Sequence, residues 1–270
     1  MSWFARSALF AACFVVLALG IPQPALANFA FSVSPPRFEL KAVPGQRLRQ
    51  VIELTNVANQ PTALLIKTAD WVYQTDGGVA FVDELAADSC RPWIALERRE
   101  LLVAASQPYR FRFEVTVPAG QTTTECRFAI LLEGKEPSLA GASQSIPIGA
   151  RVAVIVYVAV GDATPNLSLV SSAVELRDGK RVPVILIRNS GTAHGRLEGF
   201  LAGTDANGKR LEASPVNSPI LPGETRKIVL TVSERTGTDA SIEPVFPVTF
   251  KGVLEWGKNQ TLDIDQRFGP

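Results

Sequence analysis

Strict alternation of apolar and polar side chains is the feature that most limits what this chain can fold into. In the segment YRFRFEVTV, residues 109–117, every second side chain is large and apolar, and those between are charged or polar. A period of two places the apolar set on one face of a β-strand, so one face is buried and the other solvated. Similar runs recur between turn signals along the chain, whereas helical periodicity is almost absent. This spacing predicts an all-β protein built as a sandwich.

The strand pattern occurs twice. VIELTNVANQPTALLI and VILIRNSGTAHGRLEG each contain an apolar strand that ends in Asn, a polar turn and a further strand. The two residues, Asn56 and Asn189, suit a turn because Asn bonds its own backbone and tolerates unusual φ. The polar segment GDATPN lies between the two copies. The repeat therefore predicts two immunoglobulin-like β-sandwich domains in tandem, over residues 28–161 and 162–270.

The first 27 residues have the form of a secretory signal peptide. Arg6 is their single charge, an apolar stretch follows it, and Ala25-Leu26-Ala27 has the small-x-small form of a cleavage site. The alternative is a retained membrane anchor, but the apolar run stops at Pro22 and is short for a span of about 20 residues. We expect a signal peptide over residues 1–27 and a mature exported protein that begins at Asn28.

Charge and cysteine content restrict the function. The chain has 27 Lys and Arg against 26 Asp and Glu, so loss of Arg6 leaves the two signs equal. This balance provides no electrostatic attraction to nucleic acid. Cys90 and Cys126 remain after cleavage, and an even count in an exported chain favours a disulfide between them. Such a bond would contribute about 4 kcal/mol in the chain-entropy model.

The residue types needed for catalysis are scarce. His194 is the only histidine, which argues against a catalytic triad and against a His-based metal site. It precedes Gly195 in a polar segment and is expected in a solvent-exposed turn. No glycine-rich loop has a phosphate-binding form. We therefore expect no enzymatic activity, no cofactor, no metal and no small-molecule substrate.

The most apolar run after the signal peptide is RVAVIVYVAV, residues 151–160. As a helix, its nine apolar residues would extend only about 14 Å, too short to cross a bilayer. As a strand, they would extend nearly 30 Å, or about 3.3 Å per residue. The run is predicted to be the last strand of the first domain, buried on both faces along its second half and leading into the joint between the domains.

The first domain contains the segments SPPRFEL, LTNVANQPTALLIKTADWV and PWIALERRELLVAASQPYRFRFEVTVP. Together they resemble the PapD-like periplasmic pilus chaperones. SPPRFEL resembles the first strand of that family, and LTNVANQPTALLIKTADWV resembles its strand, Asn, turn and strand ending in Trp. PWIALERRELLVAASQPYRFRFEVTVP resembles the part that runs from a proline-rich start through a turn into the next strand. The resemblance covers most of residues 30–160. The second domain matches mainly through ILPGETRKIVL and the turn after Asn189, so the chain resembles a divergent member.

The resemblance implies a function. In that family, the last strand of domain one is an exposed edge that completes the unfinished fold of a pilus subunit. An Arg and a Lys bind the terminal carboxylate of the subunit between the domains, because a buried carboxylate requires such partners. Here Arg37 matches the Arg, whereas the Lys position falls on Ala153. Arg151, two residues away on the same face, is the candidate substitute.

The same resemblance makes Ile146 and Ile148, which share a face, the expected partner-binding residues ahead of this strand. Pro147 lies between them and is tolerated only at an edge or a bulge. The implied partners are exported, pilin-like subunits and an outer-membrane usher. The alternative is a tandem immunoglobulin-like structural or adhesion module of the cell envelope that donates no strand. A chaperone leaves residues 142–150 available, whereas an adhesion module covers or blunts that edge.

Overall fold

The computed structural model describes residues 31–74, 78–86, 89–134, 151–235, 241–257 and 259–269. Seventeen β-strands and one 3-10 turn, Arg91–Trp93, occur in these ranges, and none of them contains an α-helix. No helix that could cross a membrane was found there. The strands form two β-sandwiches, which confirms the predicted fold class. The predicted signal peptide and cleavage site lie outside the described residues, and so do Ile146 and Ile148.

Ten strands belong to the first sandwich: β1 (Phe31–Ser34), β2 (Arg37–Ala42), β3 (Arg47–Asn56), β4 (Thr62–Tyr73), β5 (Val79–Val82), β6 (Ile94–Leu96), β7 (Glu100–Val103), β8 (Pro108–Thr116), β9 (Thr124–Gly134) and β10 (Arg151–Val160). One sheet has the order β1-β3-β8-β6, and the other has β2-β10-β9-β4-β5, with β7 also paired to β4. Only β2 and β10 are parallel, while the other neighbours among these ten strands are antiparallel.

The two sheets of the first sandwich enclose one apolar core. Phe111, Phe113 and Val115 of β8 are buried in it, whereas the charged residues that alternate with them remain at least partly exposed. The alternation in the sequence therefore predicts the inward face of this strand correctly. Cys90 and Cys126 belong to the same core and form a disulfide, with their Cα atoms 5.8 Å apart.

Seven strands form the second sandwich: β11 (Leu167–Arg177), β12 (Lys180–Asn189), β13 (Leu201–Thr204), β14 (Arg210–Pro215), β15 (Thr225–Glu234), β16 (Val248–Gly257) and β17 (Gln260–Phe268). They are hydrogen-bonded in the order β11-β12-β15-β14-β13-β16-β17. β15 pairs with β12 through residues 225–229 and with β14 through residues 230–234, so it connects the two layers. The outer strands of the path meet again, because the Ser172 hydroxyl of β11 donates to Gln266 Oε1 of β17 at 2.8 Å.

Asn56 and Asn189 have equivalent roles in the two sandwiches. Both side chains are fully buried, and each accepts a hydrogen bond from the backbone N–H two residues later, at 3.0 Å and 2.9 Å. Each also donates from Nδ2 to backbone carbonyls at 2.8 to 3.2 Å. Buried polar groups are stable when they are satisfied in this way. The repeated sequence pattern therefore reflects the same buried, hydrogen-bonded Asn at the end of a strand in each sandwich.

β10 ends at Val160 and β11 begins at Leu167, and the domain boundary at residue 161 stays a prediction.

Candidate binding site

β10 is covered on both faces over most of its length. The even-numbered side chains from Val152 to Val160 pack in the core of the first sandwich. On the opposite face, Tyr157 lies in a smaller apolar cluster with Trp71 of β4, and Leu221 of the second sandwich packs against this cluster. The double-sided burial predicted for the second half of this strand is confirmed. The second sandwich supplies part of the cover, which the apolar run alone does not indicate.

The first four residues of β10 form an open edge. On one side, β10 pairs with β9 from Arg151 onward. On the other side, β2 begins to pair only at Ile155, which lies opposite Arg37. β1, the strand that precedes β2 in the chain, belongs to the other sheet, where it pairs with β3. No strand in the described part of the chain therefore pairs with residues 151–154 on the side of β2. We call these four residues the open edge.

The open edge presents hydrogen-bonding groups of known direction. The N–H of Ile155 donates to the carbonyl of Pro36 at 3.3 Å, and the N–H of Gly161 donates to that of Ala42 at 2.8 Å. Backbone groups in a strand point alternately to its two sides. The N–H and C=O of Ala153 therefore point away from β9, toward the side on which β2 lies further along. Edge groups that have no strand partner in the described ranges are a template for an added strand.

A cleft of about 310 Å³ lies next to the open edge, between the two sandwiches. It combines an aromatic and aliphatic lining with two guanidinium groups, Arg37 from the start of β2 and Arg196 from the segment after β12. The other residues around it are Pro36, Trp71, Tyr73, Val79, Ile155, Tyr157, Asn217, Ser218 and Pro219. We call this space the interdomain cleft.

One carboxylate oxygen lies among the basic groups beside the cleft. Oε1 of Glu39 is 2.8 Å from Nε of Arg37, 3.5 Å from Nε2 of His194 and 3.6 Å from Nε of Arg196. The hydrogen bond with His194 has the largest effect on the pKa of Glu39. Partial burial opposes it, but the charges of the same three residues add to it, and the pKa falls to about 2. Glu39 is therefore ionised at any physiological pH.

His194 is buried, so the expectation of a solvent-exposed turn is wrong. Its side chain is only 7% exposed and its ring stacks on Tyr157, with the ring centroids 3.8 Å apart. Nδ1 lies 2.8 Å from Oε2 of Glu125, and the backbone N–H of His194 donates to Oε1 of the same residue at 2.9 Å. Burial lowers the pKa of His194, but its contacts with Glu125 and Glu39 outweigh this and raise the pKa overall. The polar segment is a turn that the first sandwich covers, and local sequence does not reveal such a cover.

The two predicted cationic residues lie on neighbouring strands, Arg37 on β2 and Arg151 on β10, at different positions along the sheet. Arg37 lines the interdomain cleft, opposite Ile155. Arg151 lies four residues before Ile155, about 13 Å away at the usual rise of a strand. Its Nε is 2.9 Å from Oε1 of Glu133, and its guanidinium lies 5.9 Å from the ring centroid of Phe81. The partner-binding roles of Arg37 and Arg151 stay predictions.

Arg196 is the cleft residue that sequence reasoning missed. It belongs to the second sandwich, where the resemblance to a known family is loose, and no spacing relates it to Arg37. Only the packing of the two sandwiches brings the two guanidinium groups to one cleft. Within the described ranges, no cluster of three or more His, Cys, Asp or Glu residues could hold a metal ion.

Comparison with solved structures finds fimbrial chaperones of similar fold. The chain is similar to the class 5 fimbriae chaperone CfaA, with 15% identity, a TM-score of 0.47 and coverage of 89% of this chain and 100% of that chain. A chain of the Salmonella enterica complex of the SafA pilin with the SafB chaperone gives 11% identity, a TM-score of 0.48 and coverage of 88% and 97%. The E. coli chaperone DraB gives 13% identity, a TM-score of 0.46 and coverage of 88% of this chain and 98% of that chain. No family model matches the chain, and no curated protein matches it.

Proposed function

We propose that the protein is a periplasmic chaperone or assembly factor that binds exported, pilin-like subunits by β-strand complementation. The observation that carries the proposal is the open edge at residues 151–154 of β10, directly beside a cleft that contains Arg37. An extended segment of a subunit adds to this edge as a strand, and main-chain hydrogen bonds hold it there. The protein itself carries out no chemical step on the subunit.

The direction of β2 supports a terminal carboxylate as the group that Arg37 binds. β2 runs parallel to β10 and begins at Arg37, opposite Ile155. A strand that adds to residues 151–154 in the same direction occupies the line of β2, just before Arg37. Its carboxyl end therefore meets the Arg37 guanidinium, and a charge-assisted hydrogen bond between them is stronger than a neutral one.

Ala153 offers a selective test of strand addition. Its N–H points to the open side, so Ala153→Pro removes a donor from the edge without removing one from the ladder with β9. The control is Ala153→Ser, which keeps the N–H. Exported proteins that copurify with the tagged wild-type chain are identified by mass spectrometry, and one is then coexpressed with each variant. We expect Ala153→Pro to fold and to lose the subunit, and Ala153→Ser to retain it.

A different result would favour a different class of protein. If Ala153→Pro folds and still retains the subunit, the edge is not the binding surface. A wild-type chain that retains no exported protein at all would support the alternative, a structural or adhesion module of the cell envelope. The periplasmic location, the signal peptide over residues 1–27 and an outer-membrane usher as second partner belong to the same proposal.

A further inference from the structure

We propose that Arg196 is the second cation of the carboxylate site and that Glu39 occupies this site in the free protein. The terminal carboxylate of a ligand must then displace the Glu39 side chain from Arg37 and Arg196. Glu39 thereby selects for ligands that end in a charged group. This inference rests on the proposed function, because it names the residues that receive the carboxyl end of the added strand.

Arg196 is held ready for an anion. Its side chain is 11% exposed, and Nη1 donates both to the backbone carbonyl and to Oδ1 of Asn217, each at 3.1 Å. Nη2 lies 3.5 Å from the Tyr157 hydroxyl. Nε is buried and has no hydrogen-bond partner among the residues that the structure describes, although Oε1 of Glu39 is 3.6 Å away. A guanidinium that is held in place and has one N–H group without a hydrogen-bond acceptor is suited to bind a carboxylate ligand.

Glu39 has the properties of a displaceable occupant. Its side chain is 47% exposed, so it can rotate into solvent without crossing the core. Its Oε1 is the oxygen that Arg37, His194 and Arg196 share. Two carboxylates at one small site repel each other, so Glu39 and a ligand carboxylate compete for the same cations. The pair of Arg37 with Glu39 joins two partly exposed groups, and such a pair contributes little to stability, which keeps the exchange reversible.

Small-molecule probes test this competition directly. N-acetyl-phenylalanine carries a carboxylate and an apolar side chain that suits the aromatic lining, and its primary amide is the matched uncharged probe. Binding is followed by NMR through the Nε–H signals of arginine side chains, assigned with Arg37→Lys and Arg196→Lys. We expect Glu39→Gln to bind the acid about three- to tenfold more tightly than the wild type does, with little change for the amide.

Matched variants separate this effect from a general change in charge. Glu53→Gln removes a carboxylate on β3, which belongs to the other sheet of the first sandwich, and should leave the affinity for the acid unchanged. Arg196→Gln should weaken binding of the acid and not of the amide, and Arg196→Lys should retain part of the affinity because it keeps the charge. Thermal unfolding of each variant shows whether the fold is intact.

The outcomes distinguish this inference from the proposed function. If the wild type prefers the acid but Glu39→Gln binds it no more tightly, Glu39 is not an occupant and the inference fails alone. If neither protein distinguishes the acid from the amide, the cleft holds no carboxylate site, and both the inference and the carboxyl-end part of the proposed function fail. Binding of the acid by Glu39→Gln alone would support the inference in its strongest form.

Discussion

At the scale of single residues, a contact that should depend on pH joins His194 of the second sandwich to Glu39 and Glu125 of the first. The pKa of His194 is raised in the folded protein. Protonated His194 therefore stabilises the fold fully below the pKa of about 6.5 that it has in the unfolded chain. This stabilisation is lost as the pH rises through the pKa of the folded protein. The pKa of Glu39 is lowered to about 2, so its effect is present above about pH 4.5 and is lost as pH falls toward 2. The contact should therefore contribute most to the stability of the folded protein between about pH 4.5 and 6.5.

Because His194 is the only histidine, an NMR titration reports it without ambiguity. We expect a single imidazole titration with a pKa above about 6.5. Glu125→Gln removes the carboxylate that lies 2.8 Å from Nδ1, so it should lower this pKa. A wild-type pKa at or below 6.5 that does not respond to Glu125→Gln would show that the ring is not held between these carboxylates.

Some contacts of single residues can be predicted from the sequence, and others cannot. Asn56 and Asn189 end apolar strands, and an even number of cysteines in a chain predicted to be exported indicates the pairing of Cys90 with Cys126, so the sequence pattern is enough. His194 is different, because the two carboxylates beside its ring come from strands more than sixty positions earlier in the chain. No period or motif contains that information.

At the scale of elements, β10 combines an open backbone edge over its first four residues with even-numbered side chains that are buried in the core from Val154 onward. Val154 is completely buried, so Val154→Asp should place an unpaired charge in a dry core. We expect it to destabilise the first sandwich by more than about 4 kcal/mol, measured by denaturant unfolding of the purified protein.

Val170→Asp is the matched control, since Val170 is 53% exposed at a register shift of β11. Its effect should stay within about 0.5 kcal/mol. Comparable unfolding midpoints for the two variants would contradict the burial of β10.

The strand itself could be predicted from its apolar residues on both faces. The length of its open edge could not, because that depends on where β2 joins the sheet.

At the scale of the whole molecule, the two sandwiches form a site that neither contains alone. The first provides the open edge and Arg37, and the second provides Arg196 and the residues 217–219 that line the cleft. The tandem arrangement could be predicted from the repeated strand pattern. The contacts that the sandwiches make with each other could not, because they join surfaces whose residues are far apart in sequence and share no periodicity.

The most direct test of the central claim, that a subunit strand pairs with the open edge, is hydrogen exchange of the chain with and without a copurified subunit. Backbone amides that form new ladder bonds exchange more slowly. We predict slower exchange in the complex for a peptide that covers residues 151–154, and unchanged exchange for β17, which is an outer strand of the second sandwich. Unchanged exchange at residues 151–154 together with protection of another strand edge would contradict the account.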